Sequence, residues 1–238
     1  MNENSSTWHE AIVRDVIIET PYVKTFVVEL PHAVVHEAGQ HYEIRLTSED
    51  GYQAARLYSA ASAANGSKLL QLTVAYLADG EVSPYLHEHI EVGDSFEVRG
   101  PLGRYFTWTP DITTPVLLLG GGSGVVPMRC MLMERAQAGA TTPMKLLYSA
   151  RSFENIIYQN ELMNSKDVTI TLSDSRPSNW RGESGRIDQV MLSRILSTLP
   201  ASPLCYICGA TPFVEAIANQ LLALGVPAAQ IKAERFGA

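Results

Sequence analysis

The sequence predicts two domains: an antiparallel β-barrel over residues 1–110, then an α/β domain on a parallel sheet over residues 111–238. Three observations lead there. Up to about residue 110 the chain holds short alternating or β-branched runs separated by turn residues, with little helical periodicity. After Trp108-Thr109-Pro110 apolar, strand-length runs alternate with helical periods, the pattern of right-handed crossovers onto a parallel sheet. A length of 238 residues, 46% of them hydrophobic, is enough for two separate cores.

The elements follow in order. Strands are expected at 11–19, 23–30, 41–46, 55–60, 69–77 and 95–100, six short pieces suited to a barrel. The one helix of this half is expected at 84–90, with Ser83 as its N-cap and Pro84 at its first position, where a missing amide is no loss. In the second half five strands, at 116–119, 144–149, 168–172, 204–207 and 230–236, are joined by helices at 127–138, 153–163, 187–199 and 212–224.

Composition excludes several functions. With 18 Lys plus Arg against 25 Asp plus Glu the net charge is −7, which argues against nucleic-acid binding, since a duplex needs a basic field. The apolar stretch 116–133 is broken by Gly120, Gly121, Gly122, Gly124, Pro127 and Arg129, so no membrane span is expected. The polar start, residues 1–10, lacks a signal-peptide core, and the expected location is the cytoplasm. Three cysteines, Cys130, Cys205 and Cys208, cannot build a four-cysteine zinc site or an all-cysteine iron-sulfur cluster. Cys205 and Cys208 lie three apart on a strand and so point to opposite faces, which argues against a redox dithiol. The six histidines show no metal-ligand spacing.

Three local patterns carry chemistry. Gly120-Gly121-Gly122-Ser123-Gly124-Val125-Val126-Pro127 joins a strand to a helix, where glycines let the backbone approach a pyrophosphate and the helix end offers amides; a plain tight connection would look the same. Pro127 spoils the dinucleotide fingerprint, no Lys-Ser/Thr follows, and Ser123 is not set as a nucleophile. Arg56-Leu57-Tyr58-Ser59 puts a cation and an aromatic plane on one strand face, with Ser59 facing the other way unless the strand ends there, although by itself it also reads as a surface arginine beside a half-buried tyrosine. Gly80-Glu81-Val82-Ser83-Pro84-Tyr85-Leu86 is a turn leading into a helix.

Taken together and in this order, the three patterns resemble the ferredoxin-NADP reductase superfamily over nearly the whole chain. Gly100-Pro101-Leu102-Gly103-Arg104-Tyr105-Phe106 is similar to its barrel-closing Gly-Pro-x-Gly-x-Phe, with Tyr105 at the Phe position. Cys208-Gly209-Ala210 resembles its Cys-Gly-Pro, and Glu234-Arg235-Phe236 its C-terminal Glu-x-aromatic. The resemblance implies an FAD site formed by Arg56, Leu57, Tyr58, Ser59, Val74, Tyr76, Gly80, Val82 and Ser83. It implies a pyridine-nucleotide site of Gly121, Gly122, Ser123, Gly124, Arg151, Ser152, Asp174, Arg176, Cys208, Gly209 and Phe236. Ser59, Cys208 and Glu234 are the implied catalytic residues, Ser59 near flavin N5 and Cys208 beside the nicotinamide. A small buried thiol that only packs is the other reading of Cys208.

The implied activity is hydride transfer from NAD(P)H to FAD, with single electrons passed onward. Asp174 at the adenosine ribose favours NADH, whereas Arg151 and Arg176 converging there would favour the 2′-phosphate of NADPH. The chain ends at Gly237-Ala238 with no ligands for a 2Fe-2S cluster, so the expected acceptor is a separate ferredoxin or oxygenase component. A flavin or ferric-siderophore reductase with a diffusible acceptor, or a non-catalytic electron-transfer subunit, remains an alternative.

Overall fold

Alternation of β-branched or aromatic residues with polar ones gives each strand of the first half one face for a core. A computed structural model describes residues 7–236; the first six residues of the polar start and the terminal Gly237-Ala238 lie outside the described residues. The chain divides into two units, Met1–Trp108 and Thr109–Ala238. In the first, β1 (His9–Thr20), β2 (Val23–Glu29), β3 (His41–Thr47), β4 (Gln53–Ser59), β5 (Leu69–Ala75) and β6 (Ser95–Leu102) form one antiparallel sheet in the order β4-β3-β6-β1-β2-β5. A bridge between Ala60, just after β4, and Leu72 in β5 links the two edge strands, so the sheet curls into a barrel. Inside it Phe26 meets Phe96 edge to face with ring centroids 6.4 Å apart, and Ile44, Leu70, Leu72, Phe106 and Trp108 are buried with them.

The helix of this unit, α1 (Val82–His89), starts earlier than the sequence suggests. Ser83 is not its N-cap: that position belongs to Glu81, and no side chain caps the helix. The Ser83 hydroxyl is used elsewhere, accepting the amide of Leu77 at 3.1 Å and so closing the preceding loop. A cap hydroxyl can serve the helix only if tertiary structure leaves it free.

The second unit follows the expected alternation: β7 (Val116–Gly121), α2 (Val125–Gln137), β8 (Met144–Ala150), α3 (Gln159–Met163), β9 (Val168–Leu172), β10 (Glu183–Ser184), α4 (Gln189–Leu196), β11 (Leu204–Gly209), α5 (Thr211–Ala223) and β12 (Ile231–Arg235). The strands are all parallel in the order β10-β9-β8-β7-β11-β12. On one face Leu117, Leu119, Leu147, Cys205 and Ile207 pack against Met191, Leu192 and Ile195 of α4 and Val214, Ile217 and Leu221 of α5. Two-sided burial explains the unbroken apolar run of β7.

Three details differ from the expected pattern. A sixth strand, β10, pairs only Glu183 and Ser184 with Thr171 and Leu172, too short to leave a periodic signal. The helix expected at 153–163 is broken into a turn, Phe153–Asn155, and the short α3, separated by Tyr158 at φ 55°. Ile156, Ile157 and Tyr158 are drawn into the core, and the Ile157 amide donates to the Tyr148 hydroxyl at 3.3 Å instead of to a helical carbonyl. The last strand starts at Ile231 because Ala228–Gln230 forms a turn. Among the described residues no helix is long and apolar enough to cross a membrane.

Asp167, in the loop before β9, holds three elements of this unit together. Its carboxylate accepts from Arg135 of α2 at 2.8 Å and from Lys145 of β8 at 2.9 Å. Burial alone would raise its pKa, but the bonds from the two cations outweigh that and hold it below the usual carboxylate range. A depressed folded-state pKa means stability present above the ordinary value of 3.8 and lost as pH falls through the folded value. Asp167→Asn is therefore expected to lower unfolding stability at pH 7 by about 1 to 2 kcal/mol and to flatten the acid side of the stability profile. Urea denaturation of both proteins from pH 7 to pH 3 measures it.

Candidate functional site

In the first unit β4 carries a cation, a ring and a hydroxyl in sequence. Its register on β3 sets Arg56 opposite Ile44, Leu57 opposite Glu43, Tyr58 opposite Tyr42 and Ser59 opposite His41. Arg56 and Leu57 are exposed, Tyr58 is half-buried and Ser59 is buried. The Ser59 hydroxyl oxygen is sealed from solvent and has no hydrogen-bond partner. Leaving such a group unpaired costs about 1 to 3 kcal/mol, which a hydrogen bond to a ligand atom would recover. Burial pushes the Tyr58 phenol up to about 12, so it stays protonated and its ring is a neutral stacking surface.

Arg56 reaches toward the start of α1. Its guanidinium donates to the Ala55 carbonyl at 2.7 Å and to Glu81 Oε2 at 3.3 Å. Because α1 has neither a side-chain cap nor an acidic residue in its first turn, its amides and positive dipole end remain open to an anion. Gly80 keeps the turn tight: a Cβ there would stand 3.1 Å from the Leu77 carbonyl oxygen. The side chains of Val74 and Val82 are wholly buried in the core of this unit, and Ser83 is committed to the Leu77 amide. Tyr76 is half-buried, its hydroxyl donating to Glu88 at 2.9 Å and its ring edge-on to His87. In the barrel-closing segment Tyr105 is exposed and Phe106 is the buried aromatic.

In the second unit β7 runs into Gly122–Gly124, one tight turn that passes directly into α2. Gly122 has φ 56° and open space around it, and Ser123 is half-buried. Gly124 is the opposite case: a Cβ there would lie 2.0 Å from the Cys208 carbonyl oxygen, so only glycine lets this turn rest on β11. Gly121 and Gly209 both lie against the Phe213 ring in the same way. Like α1, α2 has no side-chain cap and no acid in its first turn. The starts of α1 and α2 could each accept an anion, as could that of α5, which likewise lacks a side-chain cap and a first-turn acid.

Cys208 stands at the carboxyl end of β11, in register with Gly120 of β7 and Glu234 of β12. It is fully buried, and its thiol is pushed well up by burial and, to a lesser degree, by Glu234. Burial likewise raises the Glu234 carboxyl to about 7. At neutral pH the pair is therefore a neutral thiol beside a partly protonated acid. Cys205 belongs to the opposite, helix-covered face, and all three cysteines are free. Phe236 is tied to this place by its amide, which donates to the Gly209 carbonyl at 3.0 Å.

The ends of β8 and β9 bring Arg151, Ser152 and Asp174 together. The Asp174 amide donates to the Arg151 carbonyl at 2.9 Å, and Arg151, Asp174 and Arg176 are all exposed. Ser152 is half-buried and its hydroxyl meets Glu154 at 2.7 Å and Asn155 at 3.0 Å. Beside them a groove of about 580 Å³ is lined by Phe153, Pro177, Trp180 and Arg181 among others. The sequence offered no signal for that groove, because its walls bring the irregular 177–182 loop against β9 and the end of α3. It also missed Tyr52 and Glu81, whose contact with each other, 2.6 Å from hydroxyl to carboxylate, spans 29 residues.

Comparison with known proteins matches this division. The oxidoreductase FAD-binding domain model covers residues 11–107 and the oxidoreductase NAD-binding domain model residues 118–219. Ferredoxin--NADP reductase B of Sorangium cellulosum is 35% identical over 86% of this chain and 86% of its own length. The glycine betaine monooxygenase reductase subunit of Chromohalobacter salexigens is 29% identical over 98% of this chain, which spans 67% of that protein. Among solved structures the flavohem-like FAD/NAD-binding domain of nitric oxide dioxygenase from Vibrio cholerae superposes with a TM-score of 0.85 at 28% identity, covering 97% of this chain and 99% of that one. An FAD-binding barrel followed by a parallel NAD-binding domain, in that order and with these relatives, makes the chain an oxidoreductase of the ferredoxin-NADP reductase superfamily.

Proposed function

We propose that the chain draws electrons from NADH through FAD and delivers them to a separate ferredoxin or oxygenase component in the cytoplasm. The observation that carries the flavin half is the partnerless, buried Ser59 hydroxyl next to Tyr58 and Arg56, three groups on one strand that fit a flavin ring and its pyrophosphate. The delivery half is supported by the relatives, named as ferredoxin reductases and as the reductase subunit of a monooxygenase.

Bound FAD supplies the redox chemistry, accepting hydride from the nicotinamide and releasing electrons one at a time. The chain's own residues bind and orient. Arg56 and the open start of α1 would hold the pyrophosphate, with Gly80 keeping the turn close. Tyr58 would stack on the isoalloxazine, and Ser59 would hydrogen-bond at N5. Leu57 and Tyr76 offer the remaining accessible contacts, and Val74 and Val82 only their backbone. For the nucleotide, Gly121, Gly122, Ser123, Gly124 and the start of α2 would cradle the pyrophosphate. Cys208, Gly209, Glu234 and Phe236 would surround the nicotinamide, where the buried neutral thiol would help exclude water and the ionised fraction of Glu234 would favour the positive charge that develops on the ring as hydride leaves.

Three outcomes are expected. The purified protein should carry about one FAD per chain, and Arg56→Ala should weaken FAD binding about 10- to 100-fold, the scale of one charge-assisted hydrogen bond to phosphate. Flavin absorbance and a fluorescence titration measure this, and a colourless protein that takes up no FAD sinks the flavin site. Cys208→Ala should keep its FAD and slow flavin reduction, by as much as about 100-fold if nicotinamide placement shifts near 1 Å. Stopped-flow absorbance decides, and an unchanged rate would reduce Cys208 to packing. Asp174 at the ribose should give NADH the higher kcat/KM, and Asp174→Arg should move preference toward NADPH. A clear NADPH advantage in the unaltered protein would instead assign the ribose to Arg151 and Arg176.

A further inference from the structure

The guanidinium expected to hold the flavin pyrophosphate already has an anionic partner. Glu81 is the N-cap residue of α1, with φ −100° and ψ −38°, yet its side chain accepts nothing from the helix amides. It turns outward instead. One carboxylate oxygen accepts from the Tyr52 hydroxyl at 2.6 Å and the other from Arg56 Nη2 at 3.3 Å. Tyr52 is preset for this contact by the β3–β4 turn, where its carbonyl accepts the Ser48 amide at 2.9 Å and its amide donates to Asp50 at 3.2 Å. The phenol is held protonated, its pKa raised first by the bond to Glu81, so it remains a donor.

The arrangement sets two requirements against each other. A pyrophosphate at the open start of α1 would take Arg56 as its counter-charge, and a carboxylate on the residue that begins the same helix would then face two negative charges. The Arg56 and Glu81 side chains are 55% and 50% exposed, so the pair between them is a weak surface contact that a doubly charged phosphate group can displace.

Resting on the flavin reading above, we propose that Glu81 is an internal competitor of the FAD pyrophosphate for Arg56. FAD binds by exchanging the Glu81 carboxylate for phosphate oxygen, and Glu81 sets how readily the flavin leaves. No covalent step is involved. Glu81 is thus a negative determinant of flavin affinity inside the flavin's own binding segment.

The experiment compares FAD release from wild type, Glu81→Gln, Arg56→Ala and the double variant, all as full chains. Serial dilution of the holoprotein is followed by the recovery of free-flavin fluorescence. Glutamine keeps an acceptor for Tyr52 and removes only the charge, and the expected result is FAD held about 5- to 50-fold more tightly. Glu81→Ala should change affinity in the same direction. In the Arg56→Ala background the gain from Glu81→Gln should shrink to less than half, since the contested guanidinium is gone. Equal or weaker FAD binding by Glu81→Gln would overturn the proposal and make Glu81 a positioning residue for Arg56. An undiminished gain in the Arg56→Ala background would overturn it too, leaving only a general field effect. If wild type holds no FAD under any condition, the flavin reading itself fails, an outcome distinct from either.

Discussion

The contact between Gly124 and the Cys208 carbonyl governs the second unit. A single added carbon would fall 2.0 Å from that oxygen, well inside any tolerable approach. The glycine therefore fixes the height of the β7–α2 turn above β11, and with it the position of the open start of α2 relative to Cys208. Phe213 seals the same place from α5, lying against Gly121 and Gly209. Glu234 and Phe236 then follow from register: β12 pairs Glu234 with Cys208, and the Phe236 amide ends on Gly209. One steric constraint thus sets the start of α2 against Cys208, and strand register adds the Glu234 carboxyl and Phe236.

Among the α-helices of the described residues only one start carries a side-chain cap. In α4, which lies far along the chain from either motif, Asp188 caps the helix by accepting the Met191 amide at 2.8 Å. Neither α1 nor α2 has such a cap. An uncapped helix start loses about 1 kcal/mol relative to a capped one, a cost that a bound anion at α1 or α2 would offset; α3 and α5 are also without a side-chain cap. The residues best able to cap α1 are both diverted, Ser83 to the Leu77 amide and Glu81 to Tyr52 and Arg56.

Those diversions also show why part of the site was illegible in the sequence. The strands of the barrel and the run of β7 follow from periodicity alone, and Arg56-x-Tyr58-Ser59 and the glycine turn were visible as short motifs because their residues are neighbours in the chain. Whether Ser83 caps its helix depends on where the Leu77 amide lies, a tertiary fact. The break before α3 likewise depends on Tyr148, whose hydroxyl takes the Ile157 amide that a continuous helix would have used. β10 is set by two residues whose only signature is their place beside β9. Periodicity reports faces and motifs report local chemistry, and neither reports which of two available partners a polar group will choose.

The electrostatics follow from the same separation of roles. FAD and pyridine nucleotides are polyanions, and a chain with net charge −7 has no general attraction for them. Positive potential is instead local, at Arg56 and at the two helix starts, where backbone dipoles supply it without a basic surface. The titratable groups assigned to the ring systems, half-buried or buried, are all shifted toward their protonated forms: Tyr58 to about 12, Glu234 to about 7, and Cys208 well upward. Burial is the leading cause in each case, so exclusion of water and suppression of negative charge are one physical effect. Glu81 is the exception, an exposed carboxylate beside Arg56, the cation proposed to hold the phosphate. Its proposed role is in retention of the flavin, so its influence should fall on cofactor binding and not on the transfer step.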